Sequence, residues 1–130
     1  SEWFERGFVT YSNRAKTEML GVPAELIERH GAVSEEVARA MAEGALRKSR
    51  AHIAVAVTGI AGPSGGSPEK PVGTVWMAGM TADGCGVAGC HLFNGDRGAV
   101  RHQSVVRTLR QALELCLREV VTGAKIERGR

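Results

Sequence analysis

The sequence has 130 residues, a mass of 13.8 kDa and a formal net charge of +3, a size at which a single domain is expected. Hydrophobic residues make up 43% and charged residues 24% of the chain, which matches ordinary globular proteins and argues against a disordered or fibrous chain. No apolar run approaches the ~20 residues that a membrane-spanning helix needs, so we expect no such helix.

The cysteines and histidines also exclude several classes of protein. Three cysteines are an odd number, and none forms a CxxC pair, which argues against a disulfide scaffold. The four histidines have no ligand spacing, so we expect no metal site. The unpaired cysteines favour a protein of the reducing cytoplasm, and no signal peptide is recognisable. Glycine is in excess, at 17 residues, and in an ordered domain glycine marks tight turns or backbone close to a ligand.

The first half of the chain predicts one strand and three helices. Gly7–Asn13 has the composition of a short strand that ends in polar residues. Ser34 is a good N-cap, because Glu35 and Glu36 follow it at the positive end of a helix dipole. The predicted helices are Lys16–Leu20, Pro23–Ile27 and Glu35 to about Arg50, the last with a buried stripe of Val37, Ala38, Met41, Ala42 and Ala45.

The second half predicts three strands and a long helix. The unbroken apolar run Ile53–Val57 favours a strand that is buried on both faces. Strands are predicted at Gly73–Met80 and Gly86–Phe93, with a hairpin turn at Asp83 between them. The last helix runs from Arg97 to about Val121, with an apolar face of Val106, Leu109, Leu113, Cys116, Leu117 and Val120. This order predicts an α/β or α+β fold with a mixed sheet.

A long loop after the first buried strand is the strongest functional feature. The segment 59–72 contains four glycines and three prolines and begins directly after Thr58. Ligands of open α/β sheets bind at the carboxyl ends of strands, and closely spaced glycines let successive N–H groups face one anion. The segment matches neither a phosphate-binding Walker loop nor a dinucleotide fingerprint. On the pattern alone, a long glycine-rich turn without a ligand is the alternative interpretation.

Two cations lie near this loop. Lys70 closes it and can reach an anionic ligand, although a single loop lysine is more often only solvated. Asp96 is a plausible N-cap of the last helix. Arg97 follows in the first turn, where a positive charge opposes the helix dipole, which suggests that it faces a carboxylate or phosphate.

Tyr11, Ser12 and Lys16 form a second polar cluster. Tyr and Lys near a Ser hydroxyl can transfer protons in acyl transfer, provided that burial lowers the pKa of the lysine. The ordinary alternative is a half-buried strand tyrosine and a surface lysine. Cys90 and Cys116 have no activating neighbour in the sequence, so we interpret both as packing residues.

Five separated motifs together resemble the CinA C-terminal domain family, which includes nicotinamide mononucleotide amidases. The resemblance covers residues 1 to about 117, in order. The motifs are Trp3-Phe4-Glu5-Arg6-Gly7-Phe8-Val9-Thr10-Tyr11-Ser12-Asn13, His30-Gly31-Ala32-Val33-Ser34, Thr58-Gly59-Ile60-Ala61-Gly62-Pro63 with Gly65-Gly66, Lys70-Pro71-Val72-Gly73-Thr74-Val75 and Gly95-Asp96-Arg97.

This resemblance implies a three-layer α/β/α sandwich that hydrolyses the amide of nicotinamide mononucleotide, without a metal or organic cofactor. It implies a serine-amidase mechanism in which Ser1 is the nucleophile and Tyr11 and Lys16 assist it. Thr58 matches the loop threonine and Arg97 the arginine of the last motif. We expect Gly59, Gly62, Gly65, Gly66, Lys70 and Arg97 to bind the substrate, and Thr58 with the loop N–H groups to bind the oxyanion or the phosphate.

The resemblance also predicts an incomplete domain. In the family, a helix, a strand and a Glu-Ser-Cys-Thr-Gly-Gly segment precede the position of Ser1, and that segment also carries a candidate nucleophile. We therefore expect residues 1–121 to be an N-terminally incomplete amidohydrolase domain, followed by a polar tail at 122–130. The apolar strands favour a homo-oligomer.

Two other functions remain open on the sequence. One is a non-catalytic nucleotide-binding or regulatory domain of a longer competence- or damage-inducible protein with a RecA-type partner. The other is nucleic-acid binding by the arginines at 97, 101, 107 and 110 of the last helix. These arginines lie on more than one helix face and few aromatic residues accompany them, which argues against this third function.

Overall fold

The computed structural model describes residues 2–122, and this part of the chain contains four helices and a three-stranded sheet. Side chains are described up to Arg118. In chain order, the elements are α1 (Asn13–Leu20), α2 (Ala24–His30), α3 (Glu35–Arg47), β1 (Ile53–Gly59), β2 (Thr74–Thr81), β3 (Gly86–Leu92) and α4 (Arg97–Thr122). The predicted helices and the last three predicted strands are all present, with ends that differ by a few residues.

The sheet has the order β1-β2-β3, and both pairs of neighbours are antiparallel. The predicted turn between β2 and β3 is confirmed, because the Thr81 N–H donates to the Cys85 carbonyl at 2.8 Å. A mixed sheet was predicted, but the strands within residues 2–122 form no parallel pair. The physical reason is that each connection returns the chain directly alongside the preceding strand, without the crossover that parallel strands need.

Helices on both faces of the sheet make three layers, as predicted for an α/β/α sandwich. Helix α3 packs on one face, and its stripe of Val37, Ala38, Met41 and Ala42 is buried against Ala56 and Ala78. The Ser34 hydroxyl accepts a hydrogen bond from the Val37 N–H and caps α3 as predicted. Helix α4 packs on the opposite face, over β1 and β2.

Close packing of α1 on α3 depends on Gly44. A Cβ atom at Gly44 would lie far inside van der Waals contact of the Leu20 carbonyl oxygen. Alanine normally stabilises a helix interior by ~1 kcal/mol relative to glycine, but here the backbone of α1 blocks the methyl group.

We therefore expect Gly44→Ala to lower the free energy of unfolding by about 3 kcal/mol, measured by urea denaturation. Gly98→Ala is the matched control, since a Cβ in the first turn of α4 meets only the Asp96 carboxylate at 3.6 Å. Equal stability of the two variants would contradict the tight contact between α1 and α3.

The predicted strand Gly7–Asn13 is wrong. Residues 3–12 before α1 belong to no strand, and α1 already begins at Asn13, because the Ser12 hydroxyl accepts from the Ala15 N–H at 3.0 Å. A strand is defined by its ladder, and no described strand pairs with this segment. Phe8 nevertheless packs against the core under α3.

The apolar face predicted for α4 is exposed rather than buried. The residues that face the sheet are instead Val100, Thr108 and Leu115. Leu115 fits there because Gly79 on β2 has no side chain: a Cβ at Gly79 would lie 2.5 Å from Leu115 Cδ1. The exposed residues are Val105, Val106, Leu109, Leu113 and Leu117, which we call the α4 stripe. The Val120 side chain lies outside the described residues.

The solvent exposure of individual side chains shows that two further interpretations of the sequence are wrong. Strand β1 is not buried on both faces, because α4 covers only part of the sheet face on which it packs and leaves Val57 of β1 37% exposed. Cys90 and Cys116 are exposed, so neither is a packing residue. Within residues 2–122, no helix is both long and apolar enough to cross a membrane.

Candidate active site

Lys16 is a buried lysine without an acidic partner. Its residue is only 6% exposed, and its Nζ donates to the carbonyl oxygens of Thr10 at 2.9 Å and Tyr11 at 3.4 Å. The early start of α1 turns the Lys16 side chain back over the segment that precedes the helix. Among the described residues no carboxylate forms an ion pair with it. Burial lowers the pKa of the Lys16 ammonium from its usual 10.5.

A lysine in this state can act as a general base, because a lowered pKa increases the fraction of neutral amine near physiological pH. The Tyr11 side chain is not part of this arrangement, since it is 88% exposed and only its backbone carbonyl contacts Lys16. Ser1, the predicted nucleophile, lies outside the described residues.

Thr58 lies at the carboxyl end of β1, where the sequence placed it. It is buried, and its hydroxyl donates to the Ala32 carbonyl at 2.8 Å. The hydroxyl proton is therefore used within the protein, and only the lone pairs of this oxygen remain available.

The glycine-rich loop is folded at its base and open at its tip. Its ends are held by hydrogen bonds from the Ile60 N–H to Thr74 O and from the Gly73 N–H to Ile60 O, at 2.9 and 2.7 Å. Gly62 and Gly66 pack against Val72, where a Cβ would lie within 2.7 Å of that residue.

The tip of the loop presents free donors. The backbone N–H groups of residues 61, 62 and 64–66 donate no hydrogen bond within the described part of the chain. Residues 63–66 are exposed, whereas Ala61 is half-buried and Gly62 is buried, so the accessible free donors are those of residues 64–66. Clustered free N–H groups are the feature that binds anions in a nest.

A cavity of about 360 Å³ lies between this loop and the N-terminus of α4. Its lining includes Ala61, Pro63 and Val72 of the loop and the residues from Gly95 to Gly98. The Arg97 guanidinium donates to the Gly62 carbonyl at 3.0 Å and so ties the loop to α4. Asp96 caps the helix by accepting from the Ala99 N–H at 2.9 Å, as predicted. A helix N-terminus, an arginine and free loop N–H groups together suit a phosphate or carboxylate.

Lys70 is engaged on the other side of the loop. Its Nζ donates to the His30 carbonyl at 2.8 Å, and no ion pair to Lys70 occurs in the part of the chain described. The role of Lys70 as a substrate-binding residue remains a prediction.

The predicted residues thus fall into two groups: Lys16 with the backbone of 10–11, and the loop with Arg97, Lys70 and Thr58. No hydrogen bond joins the two groups within residues 2–122. No group of three or more His, Cys, Asp or Glu side chains in this range is arranged to hold a metal ion.

Sequence reasoning missed the connector between α2 and α3 as a part of the site. The carbonyl oxygens of His30 and Ala32 accept the hydrogen bonds of Lys70 and Thr58. Backbone oxygens leave no signature in side-chain chemistry, and the only available signal was that these residues belong to one of the five motifs.

Comparison with known proteins agrees with these motifs. The family model described as the CinA C-terminal domain matches residues 1–116. The chain belongs to this family. It is 59% identical over 109 residues to the nicotinamide-nucleotide amidohydrolase PncC of Escherichia coli strain K12, covering 84% of this chain and 66% of that protein. It is 54% identical over 119 residues to a CinA-like protein of Akkermansia muciniphila, covering 92% of this chain and 29% of that protein.

The fold agrees as well. The crystal structure of the competence/damage inducible protein CihA from Agrobacterium tumefaciens superposes with a TM-score of 0.83 at 47% identity, covering 85% of this chain and 68% of that one. This confirms the predicted CinA-type α/β fold for the described residues. The chain spans about two thirds of the length of the PncC protein of E. coli.

Proposed function

We propose that this CinA-family chain belongs to an amidohydrolase that converts nicotinamide mononucleotide to nicotinic acid mononucleotide and ammonia, a reaction that recycles pyridine nucleotides. The observation that carries the proposal is the buried Lys16, whose pKa is lowered by burial and whose hydrogen-bond acceptors among the described residues are backbone carbonyls. The relatives of the chain that are named PncC, at 55–59% identity, support the same reaction.

The proposed mechanism has two steps. The Ser1 hydroxyl attacks the amide carbon while neutral Lys16 takes its proton; the Lys16 ammonium then donates that proton to the nitrogen that leaves as ammonia. Water then hydrolyses the acyl ester, releasing the acid and restoring Ser1. The free N–H groups of the loop that follows Thr58 bind the oxyanion or the phosphate.

The phosphate of the substrate would be held by Arg97, with Gly59, Gly62, Gly65 and Gly66 keeping the loop backbone close to it. Arg97 donates to the Gly62 carbonyl and has no acidic partner within the described range, so its positive charge is not neutralised by the protein. No cofactor takes part in this mechanism.

The test is ammonia release from nicotinamide mononucleotide by the purified chain, with the E. coli relative as a positive control. We expect stoichiometric formation of ammonia and nicotinic acid mononucleotide. Binding of the nucleotide without turnover, under conditions in which the relative is active, would overturn the proposal.

That result would favour the alternative, a non-catalytic nucleotide-binding or regulatory domain with a RecA-type partner. One observation supports it: the chain matches only 29% of the A. muciniphila relative, so related domains occur within much longer proteins. Loss of nucleotide binding in Arg97→Gln, together with absent turnover in the parent chain, would be the signature of this domain.

We also propose that the chain forms a homo-oligomer through the α4 stripe. Contiguous apolar surface of several hundred Å² on a soluble protein marks an interface, and the stripe extends over more than three helical turns. Arg110 and Glu114 lie on the same flank of the stripe, and neither is paired within the described residues. In an antiparallel α4 pair each can meet the opposite charge of the second copy.

We expect Leu109→Glu to convert a dimer of the chain to a monomer in light-scattering measurements of molar mass, since a buried unpaired carboxylate is costly. Leu92→Glu on β3 is the control, because Leu92 is 62% exposed and Leu109 59%. A monomeric parent chain, or equal masses of the two variants, would contradict this interface.

A further inference from the structure

Three successive backbone carbonyls, at the end of α2 and in the connector that leads to α3, accept side-chain hydrogen bonds. The His30 carbonyl accepts from Lys70 Nζ, the Gly31 carbonyl from Ser34 Oγ and the Ala32 carbonyl from Thr58 Oγ1, all at 2.8 Å. The donors belong to the glycine-rich loop, the N-terminus of α3 and the end of β1. This segment is thereby bonded to two other parts of the fold, the glycine-rich loop and β1, while the Ser34 hydroxyl closes the connector on itself.

The conformation of the connector depends on Gly31. Its φ is +82°, a region that residues with a Cβ rarely adopt. A Cβ at this position would also lie 3.1 Å from Lys70 Nζ, so the ammonium group sits directly against the turn. The Lys70 ammonium group therefore packs closely against a backbone turn whose positive φ favours glycine.

The loop has few other attachments beyond its base. Residues 63–69 are exposed, and outside the base the loop is tied to the rest of the described chain by two long cationic side chains, Arg97 and Lys70. Arg97 holds the first half of the loop at Gly62, and Lys70 holds the second half at His30. Within the second half, the Ser67 N–H donates to the Lys70 carbonyl at 2.9 Å, and the Lys70 N–H donates to the Ser67 hydroxyl at 3.1 Å.

We infer that Lys70 is a positioning residue, a latch that fastens the glycine-rich loop to the connector and so to Thr58 at the end of β1. This inference rests on the proposed function for its catalytic consequence but not for the latch itself. The charge-assisted bond orients the free N–H groups of the loop before substrate arrives, and the substrate need not order the loop on binding.

The latch is tested without any substrate by hydrogen exchange of the loop amides. In Lys70→Met we expect exchange of the Ser67 and Lys70-position amides to accelerate about tenfold, the effect of losing one hydrogen bond to a charged group. Lys70→Arg keeps a donor and should restore most of the protection. Lys48→Met is the control, because Lys48 is exposed directly after α3 and its side chain forms no hydrogen bond or ion pair within the described residues. Equal exchange in Lys70→Met and Lys48→Met would overturn the latch.

The catalytic consequence is measured separately. With nicotinamide mononucleotide we expect Lys70→Met to raise KM at least about fivefold with kcat changed less than twofold, and Lys70→Arg to recover most of KM. A fall in kcat with unchanged KM would overturn the positioning role. If the parent chain shows no turnover, the proposed function fails, while the exchange experiment still decides whether Lys70 fastens the loop.

Discussion

Replacing Lys16 with methionine is expected to lower kcat for nicotinamide mononucleotide by at least about a hundredfold, the usual contribution of a general base. Methionine has nearly the same length and fills the same buried space, but it cannot accept a proton. The measurement is the rate of ammonia release at saturating substrate. Lys48 is an exposed lysine at the C-cap of α3, and Lys48→Met should retain full activity. A Lys16→Met protein with near-normal turnover would eliminate Lys16 as the base.

The same substitution has a pH-dependent effect on stability, and this effect separates folding from catalysis. The pKa of Lys16 is lowered in the folded protein from 10.5 because of burial, so the unfolded chain binds the proton more tightly. The contribution of Lys16 to stability is therefore fully present above about pH 10.5 and is lost as the pH falls through the lower pKa of the folded state.

Methionine has no proton to bind, so the Lys16→Met protein lacks this dependence. We expect the free energy of unfolding of the parent chain, relative to the variant, to increase between pH 7 and pH 10.5 in urea denaturation. A difference that is constant across this range would show that Lys16 has an ordinary pKa and would remove the physical basis for its catalytic role.

Gly73→Ala is expected to lower the free energy of unfolding by about 4 kcal/mol, from backbone strain and a steric clash. Gly73 has a φ of +99°, and a Cβ there would lie far inside contact distance of the Phe93 carbonyl oxygen. The residue cannot shift away easily. Its N–H donates to Ile60 O and its carbonyl accepts from the Phe93 N–H, so the base of the loop is held on both sides. Chemical denaturation measures the loss.

Gly84→Ala isolates the strain from the clash. Gly84 has a nearly equal φ of +97°, but a Cβ at this position meets nothing within 4 Å. We expect a loss of only about 1 kcal/mol for this variant. If the two alanine variants are equally stable, the steric contact between Gly73 and Phe93 does not hold the loop.

The exposed α4 stripe shows how an amphipathic pattern can predict a helix correctly and its orientation wrongly. Helix α4 has apolar residues on two sides, and the stripe around Leu109 and Leu113 has the more regular spacing. The sheet selects the other side, because Gly79 on β2 leaves a space that Leu115 fills. The orientation of α4 therefore depends on a glycine in β2, and the spacing of apolar residues within α4 cannot indicate it.

In the candidate site, too, some features follow from the sequence and others only from the fold. The loop, Thr58 and Arg97 could be located from the sequence, because glycine spacing, the end of an apolar strand and a cation in a first helical turn are all local signals. From the sequence, burial of Lys16 could be stated only as a condition for its role in proton transfer. Its burial comes from the fold of residues 10–16, in which α1 begins three residues earlier than predicted and turns the side chain over two carbonyl groups.

By itself the sequence determined the helices and their caps, the three strands of the sheet and the family, since each depends on neighbours in the chain or on motifs that keep their order. Only the tertiary structure decided which face of α4 is covered, that Tyr11 is exposed while Lys16 is buried, and that the connector carbonyls hold Lys70 and Thr58. These features depend on contacts between residues far apart in the chain, such as Lys70 with His30. Such contacts follow from how the elements pack, and a linear pattern of residue types does not contain that information.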